Sequence, residues 1–211
     1  QALGAAALAT PVSCNTAIEQ CGAFAQVVRT RIGSPYVIDG MAQLARSGAQ
    51  RVAGFEANGG FLLGSAIEQE GRRLASLPTR DATLPILALL ALARRRGVPL
   101  SQLAVSLPQR FTASDRVQNF ATETSGRLLA ALAASPTASA ELFGDFCGAV
   151  VTQDQTDGLR LTFASGDIVH LRPSGNAPEL RCYAESATAA RAQQLARESL
   201  RRVESRGPDG A

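Results

Sequence analysis

The segment LRPSGNAPELRCY, residues 171–183, places a short polar loop between two apolar runs that resemble strands. A hairpin needs only Asn or Gly to reverse its direction, yet this loop also holds Arg172 and Ser174. An arginine can give two parallel hydrogen bonds to a phosphate. Asn176 adds an amide donor, and Gly175 allows backbone N–H groups to approach an anion. The loop therefore predicts a phosphate-binding site, and an ordinary hairpin with a surface arginine is the alternative.

Outward from this loop, the second half of the chain has the pattern of an antiparallel sheet with helices on one face. Helical runs over about 115–134 and 188–203 flank a series of strand-like runs, with a polar loop at 135–140 before the first of them. The predicted strands are residues 146–153, 158–164, 167–172 and 179–185. The order α-β-β-β-β-α predicts an α+β domain with a four-stranded antiparallel sheet over residues 108–211.

The first half, residues 1–107, predicts an α/β domain with a mixed sheet and helices. Strand-like runs at the start, at FAQVVRTRI and at RVAGFE alternate with helical spacing. The clearest helix signal is residues 81–96, with Asp81 as cap, an almost entirely apolar body and three arginines in the last turn. That body predicts a buried helix. The pattern breaks over 106–114, which we interpret as a linker.

The stretch GFEANGGFLLG, residues 54–64, follows a strand and holds an acid, an amide and a glycine pair. Glu56 and Asn58 are two residues apart, so both side chains can face one cleft in an extended chain. A carboxylate accepts hydrogen bonds and an amide donates them, which suits adjacent sugar hydroxyls. The alternative is a turn in which Glu56 is solvated.

Other polar groups carry weaker signals. Arg29 and Arg31 share one face of a predicted strand, where either could reach a phosphate or simply coat a sheet edge. His170, the only histidine, is interpreted as a core or strand-face residue, and Asp157-Gly158 as a plain turn.

The composition excludes several classes of protein. The chain has 211 residues, 45% hydrophobic and 18% charged, with a net charge of +3, which fits a packed core and gives no argument for nucleic-acid binding. It has no apolar run of about 20 residues, so no membrane span is expected. All its basic residues are arginine, so a Schiff-base lysine or a P-loop lysine is excluded within it. The four cysteines form no CxxC pair, so no metal site is expected. Free thiols are typical of a reducing compartment, which predicts a cytoplasmic location.

Taken in order, these segments resemble the C-terminal half of the α-D-phosphohexomutase superfamily, of the phosphomannomutase and phosphoglucomutase type. RPSGNAPELRCYAE resembles the phosphate loop RPSGTEP followed by LRxYxE. GFEANGGF resembles the sugar loop GExSGH, and TPVSCNTAIE with RTRIGSPYV resembles the start of the third domain. The resemblance implies the third domain over residues 1–107 and a TBP-like fourth domain over 108–211.

The resemblance also implies a reaction and a set of roles. Members interconvert hexose 1-phosphate and hexose 6-phosphate through a phosphoserine and a bisphosphorylated sugar, and Mg²⁺ is expected for the full-length enzyme. Arg31 would lie near the substrate. The implied phosphate-binding residues are Arg172, Ser174, Gly175 and Asn176. The implied sugar-binding residues are Glu56, Asn58 and Gly59. Mannose and glucose phosphates, or their amino derivatives, remain equally possible.

The sequence departs from the family pattern in several places. Asn176 replaces Thr, Ala177 replaces Glu, Arg31 replaces Lys, and Gly60 stands where the family usually has His. Neither the TASHNP-like segment with the catalytic serine nor the DGDGDR-like metal loop occurs in this chain. We therefore expect a C-terminal fragment that begins within a longer mutase, depends on missing N-terminal domains and is inactive alone, with no catalytic residue or metal ligand of its own.

Two other interpretations remain open. The chain could be a stand-alone, non-catalytic module that binds phosphosugars or anions. It could also bind nucleic acid through its arginines, although aromatic residues are only 5% of the chain and the densest basic cluster is Arg94–Arg96.

Overall fold

The computed structural model describes residues 3–69 and 71–206. It divides into two compact units, the first ending at Pro108 and the second beginning at Gln109. No helix in the described part of the chain is both long enough and apolar enough to cross a membrane.

The first unit is built on a mixed five-stranded sheet of order β2-β1-β3-β4-β7. β1, β2 and β3 are parallel, whereas β4 and β7 run antiparallel to their neighbours. The strands are β1 Ala7–Pro11, β2 Gln26–Thr30, β3 Val52–Phe55, β4 Phe61–Leu63 and β7 Leu77–Asp81, and β5 Ile67–Gln69 pairs with β6 Arg72–Leu74 in a separate hairpin. The parallel strands bring the loops after β1, β2 and β3 to one edge of the sheet.

Helix α2, Ser34–Arg46, packs its apolar stripe on this sheet. Val37 and Met41 are buried against β1 and β3. The approach is close: a Cβ added at Gly54 would lie 2.5 Å from Cγ1 of Val37. A glycine in β3 therefore lets the helix approach the strand that leads into the predicted sugar loop. A short helix, α1 Ala17–Gln20, follows β1.

Helix α3, Thr83–Arg96, forms where the sequence predicted it, but its predicted burial is wrong. Among its residues only Ala93 is buried, and the exposed apolar side chains are Ile86, Leu87, Leu89 and Leu90. The helix packs against the short α4, Leu100–Leu103. Because the body of α3 is apolar on every side, any side that is not packed leaves apolar residues exposed. The N-cap is Ala82 rather than the predicted Asp81, but the Asp81 carboxylate, one residue earlier, still accepts hydrogen bonds from the N–H groups of Thr83 and Leu84 in the first turn.

The second unit holds an antiparallel sheet of order β8-β12-β11-β10-β9. Its strands are β8 Phe111–Gln118, β9 Val150–Asp154, β10 Leu159–Phe163, β11 Ile168–Pro173 and β12 Glu179–Ser186. The sheet therefore has five strands rather than the predicted four. β8, predicted as linker and helix start, pairs with the full length of β12. Its sequence FTASDRVQ buries only Val117, so no hydrophobic period reveals it.

Three helices cover one face of this sheet and enclose the second core. They are α5 Thr122–Ala134, α6 Pro136–Cys147 and α7 Ala189–Arg206. The sequence placed a polar loop at 135–140, but α6 begins there, with Pro136 in its first turn and the Ser135 hydroxyl accepting from the N–H of Ala138. Because side chains alternate along a strand, the opposite face carries polar residues that include His170 and Arg172.

Candidate functional site

The predicted phosphate loop is the hairpin between β11 and β12. Its base is closed by a backbone hydrogen bond of 2.8 Å from Ser174 N–H to Glu179 O, and a second of 2.8 Å, from Glu179 N–H to Ala177 O, tightens the arm that leads into β12. Gly175 and Asn176 are exposed at the tip, and a Cβ added at Gly175 would meet nothing within 4 Å. The backbone of the tip is therefore open to a ligand.

The Ser174 hydroxyl lies inside the turn rather than on its surface. The residue is only 3% exposed, and its Oγ is 3.4 Å from the backbone nitrogen of Asn176. This long contact within the loop leaves the hydroxyl hydrogen able to donate to another acceptor. The turn thus brings a buried hydroxyl and an exposed amide side chain together within one short segment.

Arg172 is not the surface arginine of an ordinary hairpin. Its side chain is 17% exposed, and its Nε lies 2.8 Å from Oδ2 of Asp157, whose side chain is 7% exposed. The two groups form an ion pair, although the Nε hydrogen has no aligned hydrogen-bond partner among the described residues. A planar guanidinium fixed at one edge keeps its other N–H groups in a defined direction, which suits a tetrahedral anion.

The turn that carries Asp157 is fastened to β11 by two further features. The Asp157 carbonyl oxygen lies 2.6 Å from Nε2 of His170, so Nε2 carries the proton and donates it. Nδ1 of the same ring is buried without a partner among the described residues, and burial lowers the pKa of His170. Gly158 adopts φ +88°, and a Cβ there would overlap the carbonyl oxygen of Leu171. A neutral histidine and a required glycine therefore hold the carboxylate beside Arg172.

The predicted sugar loop begins where β3 ends, at the edge shared by the parallel strands. Glu56 N–H donates to Gly60 O at 2.8 Å, and Gly59 N–H donates to Glu56 O at 3.1 Å. Gly59 has φ +89°, in the left-handed region that favours glycine. Asn58 Oδ1 accepts from Gly60 N–H at 3.0 Å. The Asn58 side chain is exposed, and with its oxygen used in the turn its NH₂ group is left to donate outward.

Glu56 is held in place rather than solvated. Its side chain is 7% exposed, and its Oε2 accepts a hydrogen bond of 2.8 Å from the hydroxyl of Ser34, the first residue of α2. Nε of Arg80, on β7, lies 3.3 Å from the same oxygen. The carboxylate therefore has a fixed orientation set by a helix start and an edge strand.

Arg29, on β2, and Arg31, which follows that strand, make different contacts. Arg29 donates to the carbonyl oxygens of Pro11 and Cys14 and to the carboxylate of Glu19, so it fastens the loop after β1. Arg31 is exposed at the carboxyl end of β2, with its guanidinium 5.0 Å from the centre of the Tyr36 ring. Of the pair, Arg31 is the one on the surface near the sugar-loop edge.

The described residues show no group that could form a metal centre, and three of the cysteines are buried. Across 3–69 and 71–206, no group of three or more His, Cys, Asp or Glu side chains could hold a metal ion. Burial raises the pKa values of Cys14 and Cys182, and raises that of Cys147 to about 12. These three thiols stay protonated near neutral pH and are poor nucleophiles.

Sequence reasoning missed three residues that hold the predicted site residues in place. Ser34 and Arg80 contact Glu56, and Asp157 contacts Arg172. Asp157 carried only a turn signal, and Arg80 lies in a polar stretch between two predicted elements. The three partners come from a helix start, a strand and a turn, so only the folded topology brings each one to its site.

Two segments of the chain match family descriptions. Residues 1–111 match "Phosphoglucomutase/phosphomannomutase, alpha/beta/alpha domain III", and residues 119–201 match "Phosphoglucomutase/phosphomannomutase, C-terminal domain". The chain is also 46% identical over 198 residues to a phosphomannomutase of Sinorhizobium fredii, covering 94% of this chain and 41% of that protein. It thus spans less than half the length of this curated relative.

Solved structures agree on the fold. A phosphoglucomutase/phosphomannomutase family protein of Burkholderia thailandensis superposes with a TM-score of 0.62 at 20% identity, covering 95% of this chain and 38% of that one. N-acetylphosphoglucosamine mutase of Aspergillus fumigatus, solved in complex with GlcNAc-6P and magnesium, gives 0.61 at 14% identity, covering 95% and 39%. The predicted fold class is confirmed, although the second sheet has one more strand. The chain belongs to the phosphoglucomutase/phosphomannomutase family, of which it carries domain III and the C-terminal domain.

Proposed function

We propose that this chain recognises the sugar and anchors the phosphate in a phosphohexomutase that interconverts hexose 1-phosphate and hexose 6-phosphate. The observation that carries the proposal is the Arg172–Asp157 ion pair at the base of the loop, 2.8 Å between Nε and Oδ2. A pre-oriented guanidinium beside exposed backbone N–H groups is an arrangement that binds phosphate. The identity of 46% to a curated phosphomannomutase supports the same activity class.

In the second unit, Arg172 would donate two N–H groups to the phosphate. Ser174 would donate its hydroxyl, and Gly175 and Asn176 would supply donors at the exposed tip. None of these groups needs to change protonation state, which fits an anchor for the phosphate that is not reacting.

In the first unit, Glu56 would accept a hydrogen bond from a sugar hydroxyl and Asn58 would donate one from its amide. Gly59 would let a sugar ring approach the backbone of the loop closely, because it has no side chain and the space beside it is open. Arg31, which follows β2 at the same edge of the sheet, would attract the negatively charged substrate. A donor and an acceptor held side by side can serve more than one orientation of a sugar, which a mutase that moves phosphate between two carbons requires.

The transfer of the phosphoryl group itself would need residues from the rest of a longer protein. A magnesium ion would neutralise charge on the transferred group, but the described residues offer no ligand set for one. We therefore assign the phosphoserine, the metal site and the transfer step to N-terminal domains, and expect no turnover by the isolated chain. A stand-alone module that binds phosphosugars without catalysis is the second candidate, because the anchor can bind phosphate without those domains.

Calorimetric titration of the 211-residue chain tests the anchor. We expect mannose 1-phosphate, glucose 1-phosphate and inorganic phosphate to bind, and Arg172→Ala to weaken all three at least about tenfold, since a bidentate charged contact is lost. Arg127→Ala, an exposed arginine of α5, is the matched control and should leave every Kd unchanged. No binding by the unchanged chain, or equal Kd values for the two variants, would contradict the proposal.

A further inference from the structure

The side chain of Arg80 crosses the sugar loop. It starts on β7 and reaches Glu56, at the end of β3, with 3.3 Å between Nε and Oε2. Its side chain is 56% exposed, whereas that of Glu56 is 7% exposed. The guanidinium therefore connects a buried carboxylate to the solvent above the loop.

Space for this contact comes from Gly60. A Cβ added there would lie 3.0 Å from Nε of Arg80, 3.2 Å from Oε2 of Glu56 and 3.2 Å from Oδ1 of Asn58. Unlike Gly59, Gly60 does not have a positive φ, so its backbone conformation does not demand glycine. What the glycine provides is room at the centre of three polar groups.

Stability alone is a weak reason for such an arrangement. An ion pair with one partner more than half exposed adds little to stability, because water screens it and the arginine loses rotamer freedom. Within the described part of the chain, the contacts of Glu56 from Ser34 and Arg80 both fall on Oε2. Oε1 is then left to accept a hydrogen bond from a ligand, beside a guanidinium whose outer N–H groups can donate.

We propose that Arg80 is a sugar-binding residue that acts together with Glu56. The carboxylate accepts a hydrogen bond from one hydroxyl of the ring, and the guanidinium donates one to the oxygen of the adjacent hydroxyl. The pair thereby selects hexose phosphates with two neighbouring hydroxyls within reach. This inference rests on the proposed function, since it assigns a further contact within the same sugar-recognition loop.

Three variants of the full chain test the contact between Arg80 and Glu56, two at Arg80 and one at Gly60. Arg80→Ala removes the guanidinium, and we expect the Kd for glucose 1-phosphate to rise about tenfold. Arg80→Lys keeps the charge but loses the planar fork, so part of the affinity should return. Gly60→Ala places a methyl group against Arg80 and should weaken binding with no charge removed. Arg73→Ala, exposed on the β6 hairpin strand, is the matched control and should bind like the unchanged chain.

Deoxy sugars separate a direct contact from a structural effect. We expect one of the 2-, 3- and 4-deoxy derivatives of glucose 1-phosphate to bind the unchanged chain and Arg80→Ala equally, because the contact is already missing from that ligand. A purely structural role would weaken the three derivatives and the parent sugar alike and would overturn the inference.

Inorganic phosphate separates this inference from the proposed function. The Kd for phosphate should be unaffected in Arg80→Ala and raised in Arg172→Ala. If Arg172→Ala abolishes hexose phosphate binding while Arg80→Ala leaves it unchanged, the proposed function stands and the role of Arg80 is refuted. If the unchanged chain binds no hexose phosphate, both are refuted.

Discussion

The protonation state of His170, which lies beside Asp157 and Arg172, should affect the stability of the second unit. It is buried, donates through Nε2 to the carbonyl oxygen of Asp157, and has no partner at Nδ1 among the described residues. Burial lowers its pKa, which outweighs the opposing effects of the Asp157 carbonyl and carboxylate; Arg160 and Arg172 lower it further. The ring is therefore neutral in the folded protein, and its protonation would place a cation next to Arg172.

The second unit should consequently lose stability below about pH 6.5, the ordinary histidine pKa. Above that value neither folded nor unfolded chain is protonated at this ring. As the pH falls through 6.5 the unfolded chain takes up a proton that the folded chain resists, until the lowered folded pKa is reached. The free energy of unfolding should therefore decrease over this window, and the slope should vanish in His170→Gln, which keeps an N–H donor but cannot titrate.

Tyrosine fluorescence can isolate this effect. The chain has no tryptophan and two tyrosines, so in a Tyr36→Phe background the emission reports Tyr183, whose ring lies 5.5 Å from that of His170. Urea unfolding between pH 7.5 and 5.5 then follows the second unit, in a range where carboxylates hardly titrate. An equal pH slope with and without His170 would show that another group is responsible.

At this scale the sequence indicated the candidate site residues themselves but not the residues that contact them in the fold. The predicted loop residues Arg172 and Ser174 lie in one hairpin, as expected of neighbours in the sequence. Asp157 and Arg80 were not predicted as partners, because an Asp-Gly pair is common in turns and an arginine in a polar stretch has no signature. Their significance comes from pairing across strands, which depends on register rather than on local pattern.

Among the elements, the turn between β9 and β10 is the one on which the proposed phosphate anchor depends, because it carries Asp157, the ion-pair partner of Arg172. Gly158 follows Asp157, adopts φ +88°, and leaves no room for a Cβ beside β11. An alanine there would both strain the backbone and push the turn away from Leu171. The carboxylate that orients Arg172 would move with it.

We expect Gly158→Ala to lower the free energy of unfolding of the second unit by about 3 kcal/mol or more and to weaken phosphate binding. Gly166→Ala is the matched control, since φ there is +81° but a Cβ would meet nothing closer than 3.8 Å. It should cost about 1–2 kcal/mol from backbone strain alone and leave the Kd for phosphate unchanged. Urea unfolding and calorimetry check both values, and equal losses in the two variants would rule out the proposed overlap.

The two elements of the second unit that escaped prediction share a physical cause. β8 is a polar edge strand whose order comes from backbone pairing with β12, and α6 begins at a Ser-Pro pair within a run of small residues. Neither has the apolar period by which strands and helices are recognised. α3 shows the converse, because its apolar residues gave a clear helix signal while its surroundings in the fold leave it largely exposed.

For the molecule as a whole, the two proposed recognition loops fall in separate compact units. The proposed sugar loop lies at the carboxyl ends of the parallel strands in the first unit, and the proposed phosphate loop is a hairpin in the second. Each is held by its own partners, Ser34 and Arg80 in one and Asp157 in the other. Loss of one loop should therefore leave the fold of the other unit intact.

A fusion protein can decide whether these loops serve a mutase. The chain replaces the matching 41% of the Sinorhizobium fredii phosphomannomutase, to which it is 46% identical over 198 residues. We expect the fusion to interconvert mannose 1-phosphate and mannose 6-phosphate, whereas the isolated chain does not. Arg172→Ala within the fusion should reduce kcat/KM by about 10²-fold, because a misplaced phosphate misplaces the reacting oxygen.

The same fusion distinguishes the two candidate functions. Arg127→Ala in the fusion should keep full activity, which controls for the loss of an arginine. A fusion that folds, binds hexose phosphate through Arg172 and yet turns nothing over would favour the non-catalytic module. Activity that survives Arg172→Ala would show that the phosphate is anchored elsewhere, because a mutase that presents its sugar in two orientations depends on whichever group holds the non-reacting phosphate.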